Sequence, residues 1–166
     1  MAPFKRPSAN SVIHSDKNPK LSAVLLLIYP KQNTPHFTLI QRTDYNGTHG
    51  GQISFPGGKQ EAEESLKETA IREANEEIGI PTDTVQILGE LTQVYIPPSN
   101  FLVSPFVGFV DFEPNFIKED KEVESIIEVK FSDLLNDDLI KQKKIKVGKY
   151  TDTPLILDVP YFELNY

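Results

Sequence analysis

Ser65-Leu66-Lys67-Glu68-Thr69-Ala70-Ile71-Arg72-Glu73-Ala74-Asn75-Glu76-Glu77-Ile78-Gly79-Ile80-Pro81 is the stretch on which the fold turns. Leu66, Ala70, Ile71, Ala74 and Ile78 recur at helical spacing, which predicts a helix over 65–78. Gly79 and Pro81 supply its stop. At about 100° per residue, Glu73, Glu76 and Glu77 stand at i, i+3 and i+4 and project from one narrow arc. The apolar arc lies beside it. These carboxylates therefore fall near the edge where helix meets core, rather than opposite the core where a solvating face belongs. Arg72 lies four residues from both Glu68 and Glu76 and can pair with either.

Charge density sharpens the point. Lys59 to Glu77 carries seven acids and three bases, so it holds −4 of the chain's net −7. An acidic helix is ordinarily a solvated face. Three carboxylates on one arc with one guanidinium nearby stay under-neutralised, and hard divalent cations with oxygen ligands are the natural remedy. Mg²⁺ takes few carboxylates and keeps waters for a phosphate substrate. Just upstream, Gly57 and Gly58 let the backbone approach closely and turn carbonyls or amides toward the same place.

The remaining composition excludes several classes. A chain of 166 residues, 39% hydrophobic and 25% charged, predicts one globular domain over 21–166, preceded by an irregular lead-in over 1–20. With no cysteine there is no disulfide, thiolate metal site or thiol nucleophile, which fits a reducing, cytoplasmic setting. The longest apolar run, Ala23 to Tyr29, is seven residues long. Spanning a bilayer takes about 20. Lys5, Arg6, Lys17 and Lys20 are not followed by a signal-type apolar segment, so neither a membrane nor a secretory role is expected. The acidic balance argues against a nucleic-acid partner.

Strands are predicted at Ala23 to Tyr29, closed by Pro30, at Phe37 to Gln41, and at Gln52 to Phe55, stopped by Pro56-Gly57-Gly58. Val85 to Tyr95, Leu102 to Asp111, Val123 to Lys130, Lys143 to Tyr150 and Leu155 to Val159 follow, with a short helical stretch near Ser132 to Leu135. Many strands with one strong amphipathic helix make an α+β domain with a mixed sheet. One helix leaves the other sheet face without a cover. Either a second copy of the chain covers it, as a homodimer, or a C-terminal covering helix is short or missing.

Gly58, five residues, Glu64, seven residues, then Arg72-Glu73-Ala74-Asn75-Glu76-Glu77-Ile78-Gly79-Ile80 resembles a complete Nudix box, G-x5-E-x7-R-E-U-x-E-E-x-G-U. Ala74 is small where that pattern usually has a larger aliphatic residue. The resemblance implies a Nudix α/β/α sandwich that hydrolyses a nucleoside diphosphate linked to another group, using Mg²⁺ or Mn²⁺. It implies Glu73 and Glu77 as principal metal ligands and Glu76 as a third ligand or holder of metal-bound water. Gly57 would offer its carbonyl to the metal. Arg72 and Glu64 would orient the glutamates.

The flanks are similar to the coenzyme A pyrophosphatase branch of that family. Leu39-Ile40-Gln41-Arg42 leads to His49-Gly50-Gly51-Gln52-Ile53-Ser54-Phe55-Pro56-Gly57-Gly58. Tyr95-Ile96-Pro97, Ser99-Asn100-Phe101, Pro105-Phe106-Val107-Gly108, Glu122-Val123 and Glu128-Val129 continue the likeness, which runs from about Leu21 to about Leu135. It implies cleavage of coenzyme A, or its esters, to 3′,5′-ADP and 4′-phosphopantetheine. The branch often has a basic residue shortly before the histidine, where this chain reads Asp44-Tyr45-Asn46-Gly47-Thr48. Members usually extend beyond both ends of this sequence.

Among substrate-binding candidates, Arg42 contacts phosphate or forms a surface ion pair. His49 contacts phosphate or is a polar turn residue, Gln52 fixes its loop, and Phe55 packs in the core or stacks on a base. Glu122 is the candidate for a downstream carboxylate that helps hold metal or activate water, with Glu119 and Glu124 as rivals. Two other readings stay open: a Nudix hydrolase of ADP-ribose, NADH or a nucleoside triphosphate, and a nucleotide-binding Nudix module without turnover.

Overall fold

In the computed structural model, residues 18–44, 51–147 and 155–163 are described. His49 and most of the expected lead-in therefore lie outside the described residues. β1 (Lys20–Lys31) runs past Pro30, where the sequence predicts a stop, and turns tightly into β2 (Thr34–Arg42). Gln32 and Asn33 have φ of 49° and 57°, the left-handed pair that a two-residue hairpin requires. Pro30 faces Pro35 next to the closing pair Lys31 and Thr34. In the alternation of an antiparallel ladder that is a non-hydrogen-bonded pair, so neither missing N–H removes a rung.

The hairpin opens like a fork. Residues 28–31 of β1 pair with residues 34–37 of β2, while Ser22–Val24 pair instead with β4 (Gly57–Lys59). On the β2 prong, Ile40 and Gln41 pair with β3 (Ile53–Ser54). The Pro56-Gly57-Gly58 run expected to end a strand thus supplies a further one. It does so because glycine permits the approach: a Cβ on Gly57, whose φ is +154°, would collide with the carbonyl oxygen of Ala23 and the backbone of Val24.

The helix α1 (Leu66–Ile78) starts on Ser65, whose hydroxyl accepts from the Glu68 N–H while Glu68 accepts from the Ser65 N–H. Gly79 ends it at φ 73°. The expected strand over 85–95 is divided into β5 (Gln86–Glu90) and β6 (Val94–Ile96), both antiparallel to β7 (Phe101–Phe109). A register shift between Ile87 and Gly89 accompanies the break. β7 is parallel to β1, and β8 (Val123–Lys130) is antiparallel to β2, so the sheet is mixed as expected. Its central order is β3-β2-β1-β7-β5. β9 (Ile140–Val147) and β10 (Leu155–Phe162) form a separate antiparallel pair.

Strand alternation assigns the two faces. Ala23, Leu25, Leu27 and Tyr29 of β1, with Ile40 and Phe106, are buried against Ala70, Ala74 and Ile78 of α1. On the opposite face, Phe37, Ile127 and Val129 are buried with Leu26, Leu39 and Phe55, and the 3-10 turn Phe131–Leu135 packs there. That turn is the helical stretch expected near Ser132. Among the described residues α1 is the only α-helix, and no helix is long and apolar enough to cross a membrane.

Candidate metal and active site

The three helix glutamates are graded in depth rather than lying together on the edge. Glu77 joins the buried stripe of α1 at 1% exposure. The side chain of Glu73 is 15% exposed and that of Glu76 57%. Ala70, Ala74 and Ile78 share the buried face with Thr69 and this one carboxylate, a setting that only a strongly compensated acid tolerates.

The compensation comes from strands. Alternation along β2 puts Arg42 on the same face as Ile40, toward α1, and its Nη1 donates to Glu77 Oε1 at 2.8 Å. The Gly57 N–H donates to Glu77 Oε2 at 2.8 Å. The amide of Gly57 thus holds a glutamate, while the resemblance concerns its carbonyl. Burial still pushes the Glu77 carboxyl up to about 7, against the pull of Gly57 and Arg42 and with the push of the Glu73 charge.

Arg72 ties the rest together. Its Nε and Nη2 form a fork on Glu64 at 3.0 and 2.9 Å, and Nη1 reaches Glu76 at 2.9 Å and Glu73 at 3.0 Å. Glu68, the other partner open to Arg72 by spacing, is instead committed to the helix cap. Glu64 is fixed by three donors, since the Glu61 N–H and the Thr69 hydroxyl also reach it at 2.9 Å each. The Arg72 bonds, with the Glu61 amide behind them, bring the Glu64 carboxyl down to about 2. Burial raises that of Glu73, Arg72 opposes the rise, and the charges of Glu76 and Glu122 add to it.

The loop before β8 carries the downstream carboxylate. It docks on the end of α1, where the Ile117 and Glu119 N–H groups donate to the Ile78 and Glu77 carbonyls at 3.1 Å each. Glu122 faces the site: its carboxylate lies 3.7 Å from Arg42 Nη2, with the side chain 55% exposed. Glu119 turns its carboxylate back to the Lys121 N–H, and Glu124 is exposed on β8.

A cleft of about 420 Å³ meets this cluster, lined among others by Ser22, Val24, Phe55, Lys59, Phe101 and Val103. Ser22 and Val24 alternate with the buried Ala23 and Leu25, so the cleft opens on the sheet face away from α1. No glutamate lines it. Arg42, Gly57 and Gly58 line it and also touch Glu77 or Glu73, so they form the wall between cleft and carboxylates. Gln52 lines it too, and its carbonyl accepts from the Arg42 N–H at 2.9 Å. Phe55 both lines the cleft and packs on Phe37, with ring centroids 6.2 Å apart. Ser22, Lys59 and Val103 carry no sequence signal that singles them out, because strand pairing alone brings them to the cleft, whereas Ser99 and Phe101 fall in a stretch already quoted for its family likeness.

The donor set suits a hard divalent cation, since Glu73, Glu76 and Glu77 offer only oxygens. Gly58 leaves the room, for a Cβ there would overlap the Glu73 carboxylate. Among the described residues no three acidic or imidazole side chains are already gathered around one point, because each glutamate is turned to a guanidinium.

Comparison with known proteins agrees with this architecture. The family model of the NUDIX domain matches residues 19–149. "Uncharacterized Nudix hydrolase NudL" of Yersinia enterocolitica is 39% identical over 109 residues, 65% of this chain and 55% of that protein. "Nudix hydrolase 3" of Caenorhabditis elegans is 31% identical over 143 residues, 84% and 59% of the two chains. The chain thus spans little more than half the length of these curated relatives. Among solved structures, a Nudix hydrolase of M. smegmatis, RenU, superposes with a TM-score of 0.57 at 19% identity, over 68% of this chain and 71% of that one. The NUDIX domain of Shewanella oneidensis NrtR, complexed with ADP ribose, gives 0.57 at 17% identity over 78% and 86%. At such identities the likeness is one of fold. With the family model running from the start of β1 to beyond β9 across the glutamate helix, the chain belongs to the NUDIX domain family.

Proposed function

We propose that this chain hydrolyses the diphosphate of coenzyme A or its esters, with Mg²⁺ or Mn²⁺ held by Glu73, Glu76 and Glu77. The observation that carries the reading is the wall shared by the carboxylate cluster and the cleft, made of Arg42, Gly57 and Gly58. A diphosphate placed at that wall has the carboxylates on one side and room for its organic substituent on the other. When bound, a divalent cation supplies charge neutralisation for both phosphates and water acidic enough to react near neutral pH.

The chain's own residues do the rest. Arg72, anchored by Glu64, sets the directions of Glu73 and Glu76. Glu122, half-exposed with its carboxylate 3.7 Å from Arg42, is the group assigned to take a proton from attacking water in this reading. Val24, Phe55, Phe101 and Val103 offer apolar surface to an aromatic base or a pantetheine arm.

Coenzyme A carries a third phosphate, and two ammonium groups suit it. Lys59 lines the cleft, and Lys20 Nζ lies 5.7 Å from the ring centroid of Phe101, which lines it too. Among the described residues neither lysine has an ion-pair partner. They offer the basic character absent from the loop before His49. A second reading, ADP-ribose as substrate, is favoured by that same absence, since ADP-ribose has no third phosphate.

Turnover of coenzyme A, dephospho-coenzyme A, ADP-ribose, NADH and a nucleoside triphosphate should be compared with Mg²⁺ or Mn²⁺, scoring phosphate-containing products. Coenzyme A is expected to lead, and Lys59→Ala should erase about tenfold of its advantage over dephospho-coenzyme A. Equal rates on the two, or full turnover in chelator, would sink the proposal.

A further inference from the structure

In this structure both oxygens of the deepest glutamate are taken. Glu77 Oε1 accepts from Arg42 at 2.8 Å and Oε2 from the Gly57 N–H at 2.8 Å. Glu73 and Glu76 are held by Arg72. Guanidinium groups thus stand where the reading above puts a divalent cation.

The two arginines are not equivalent. Arg72 keeps its fork on Glu64, and a bond to the Lys59 carbonyl at 3.3 Å, whichever way Glu73 and Glu76 turn. It cannot leave. Arg42 has one side-chain hydrogen-bond partner among the described residues, Glu77; Glu122, at 3.7 Å, stands beyond hydrogen-bond reach. It also lines the cleft, so a path away from Glu77 is open to it.

We propose that Arg42 is a displaceable stand-in for the divalent cation. It neutralises Glu77 in the cation-free protein and swings to the cleft wall beside Glu122 when a cation takes Glu77. There the guanidinium, stripped of its buried acceptor, is available to the oxygens of a diphosphate. Cation and nucleotide binding are thereby coupled. The cation must expel Arg42, which weakens its own binding, and the released Arg42 strengthens nucleotide binding, an effect reciprocal between the two ligands. This inference rests on the reading that Glu77 is a metal ligand. It makes Arg42 a positioning residue whose effect is visible without turnover.

Mn²⁺ binding to the nucleotide-free protein, followed by the loss of the free-ion paramagnetic resonance signal, tests it. Arg42→Gln removes the competitor, and Mn²⁺ should bind roughly tenfold tighter than to the unaltered chain. Arg42→Lys, which keeps a charge but loses the fork, should fall between the two and guards against failure of the glutamine variant to fold. In the unaltered chain, Mn²⁺ should also tighten binding of ADP, a diphosphate that lacks the second substituent, by a factor that shrinks in Arg42→Gln. Mn²⁺ binding of equal or lower affinity in both variants overturns the displacement while leaving the metal site intact. Failure of all three proteins to bind Mn²⁺, with none hydrolysing any substrate, overturns the metal reading itself.

Discussion

Gly58→Ala isolates the placement of one glutamate from the integrity of the fold. Gly58 is not among the glycines at positive φ, so alanine brings no backbone strain. The three atoms nearest the added Cβ are the carbon and both oxygens of the Glu73 carboxylate, which would overlap it. That carboxylate ends a flexible side chain, so it moves and the sheet stays. The move breaks the 3.0 Å contact with Arg72 Nη1. A charge-assisted bond of that kind contributes about 1.5–3 kcal/mol, and loss of glycine's unfolded-state freedom returns about 0.4–1 kcal/mol. A net destabilisation of about 1 kcal/mol lowers Tm by roughly 2–4 °C for a chain of this size. Activity responds more strongly, because a ligand displaced by about 1 Å costs about a hundredfold. Thermal melts and kcat/KM at saturating Mn²⁺ measure the two effects side by side. Gly57→Ala is the contrast, since its Cβ collides with the Ala23 and Val24 backbone, and that protein should lose fold and activity together. Retention of kcat/KM within about threefold in Gly58→Ala would refute the assignment of Glu73.

Two further variants read charge. Burial raises the Glu77 carboxyl from 4.5 to about 7, so the folded chain keeps a proton that the unfolded chain releases in between. Cation-free stability should therefore fall as pH climbs through that window, by at most roughly 3 kcal/mol. Glu77→Gln should abolish that slope in chelated urea titrations and lower turnover by about a thousandfold. Glu64 behaves in the opposite sense: its carboxyl is depressed from 4.5 to about 2, so its contribution is present above 4.5 and lost as pH falls toward 2. Glu64→Gln should cost roughly 1 kcal/mol at neutral pH, water screening the rest, and should remove part of the acid-side loss seen by circular dichroism.

The helix and its boundaries were legible because periodicity and glycine chemistry are local. Ser65 to Ile78 announced a 13-residue α1, although the Ser65 and Glu68 capping pair, equally local, went unread. The parts that failed depend on pairing. No local rule shows that Pro56-Gly57-Gly58 enters a fork between two strands, because the permission comes from a missing Cβ and the demand from Ala23 and Val24 far away in sequence. Pro30 read as a terminator because its harmlessness depends on standing opposite Pro35.

Arg42 shows the same limit at the site. The sequence displays three carboxylates and one guanidinium, and from that count the cluster is under-neutralised. The second guanidinium is 35 residues from Glu77 and reaches it only because the Gln32-Asn33 turn fixes the register of β2. That register puts Thr38, Ile40 and Arg42 on one face, with Phe37 and Leu39 on the other. A one-residue slip would turn Arg42 away from α1 and leave Glu77 buried without a cation, a state costing several kcal/mol. The hairpin turn and the chemistry of the glutamates are therefore linked. What fixes the strand register also decides whether the deepest carboxylate meets the guanidinium that neutralises it.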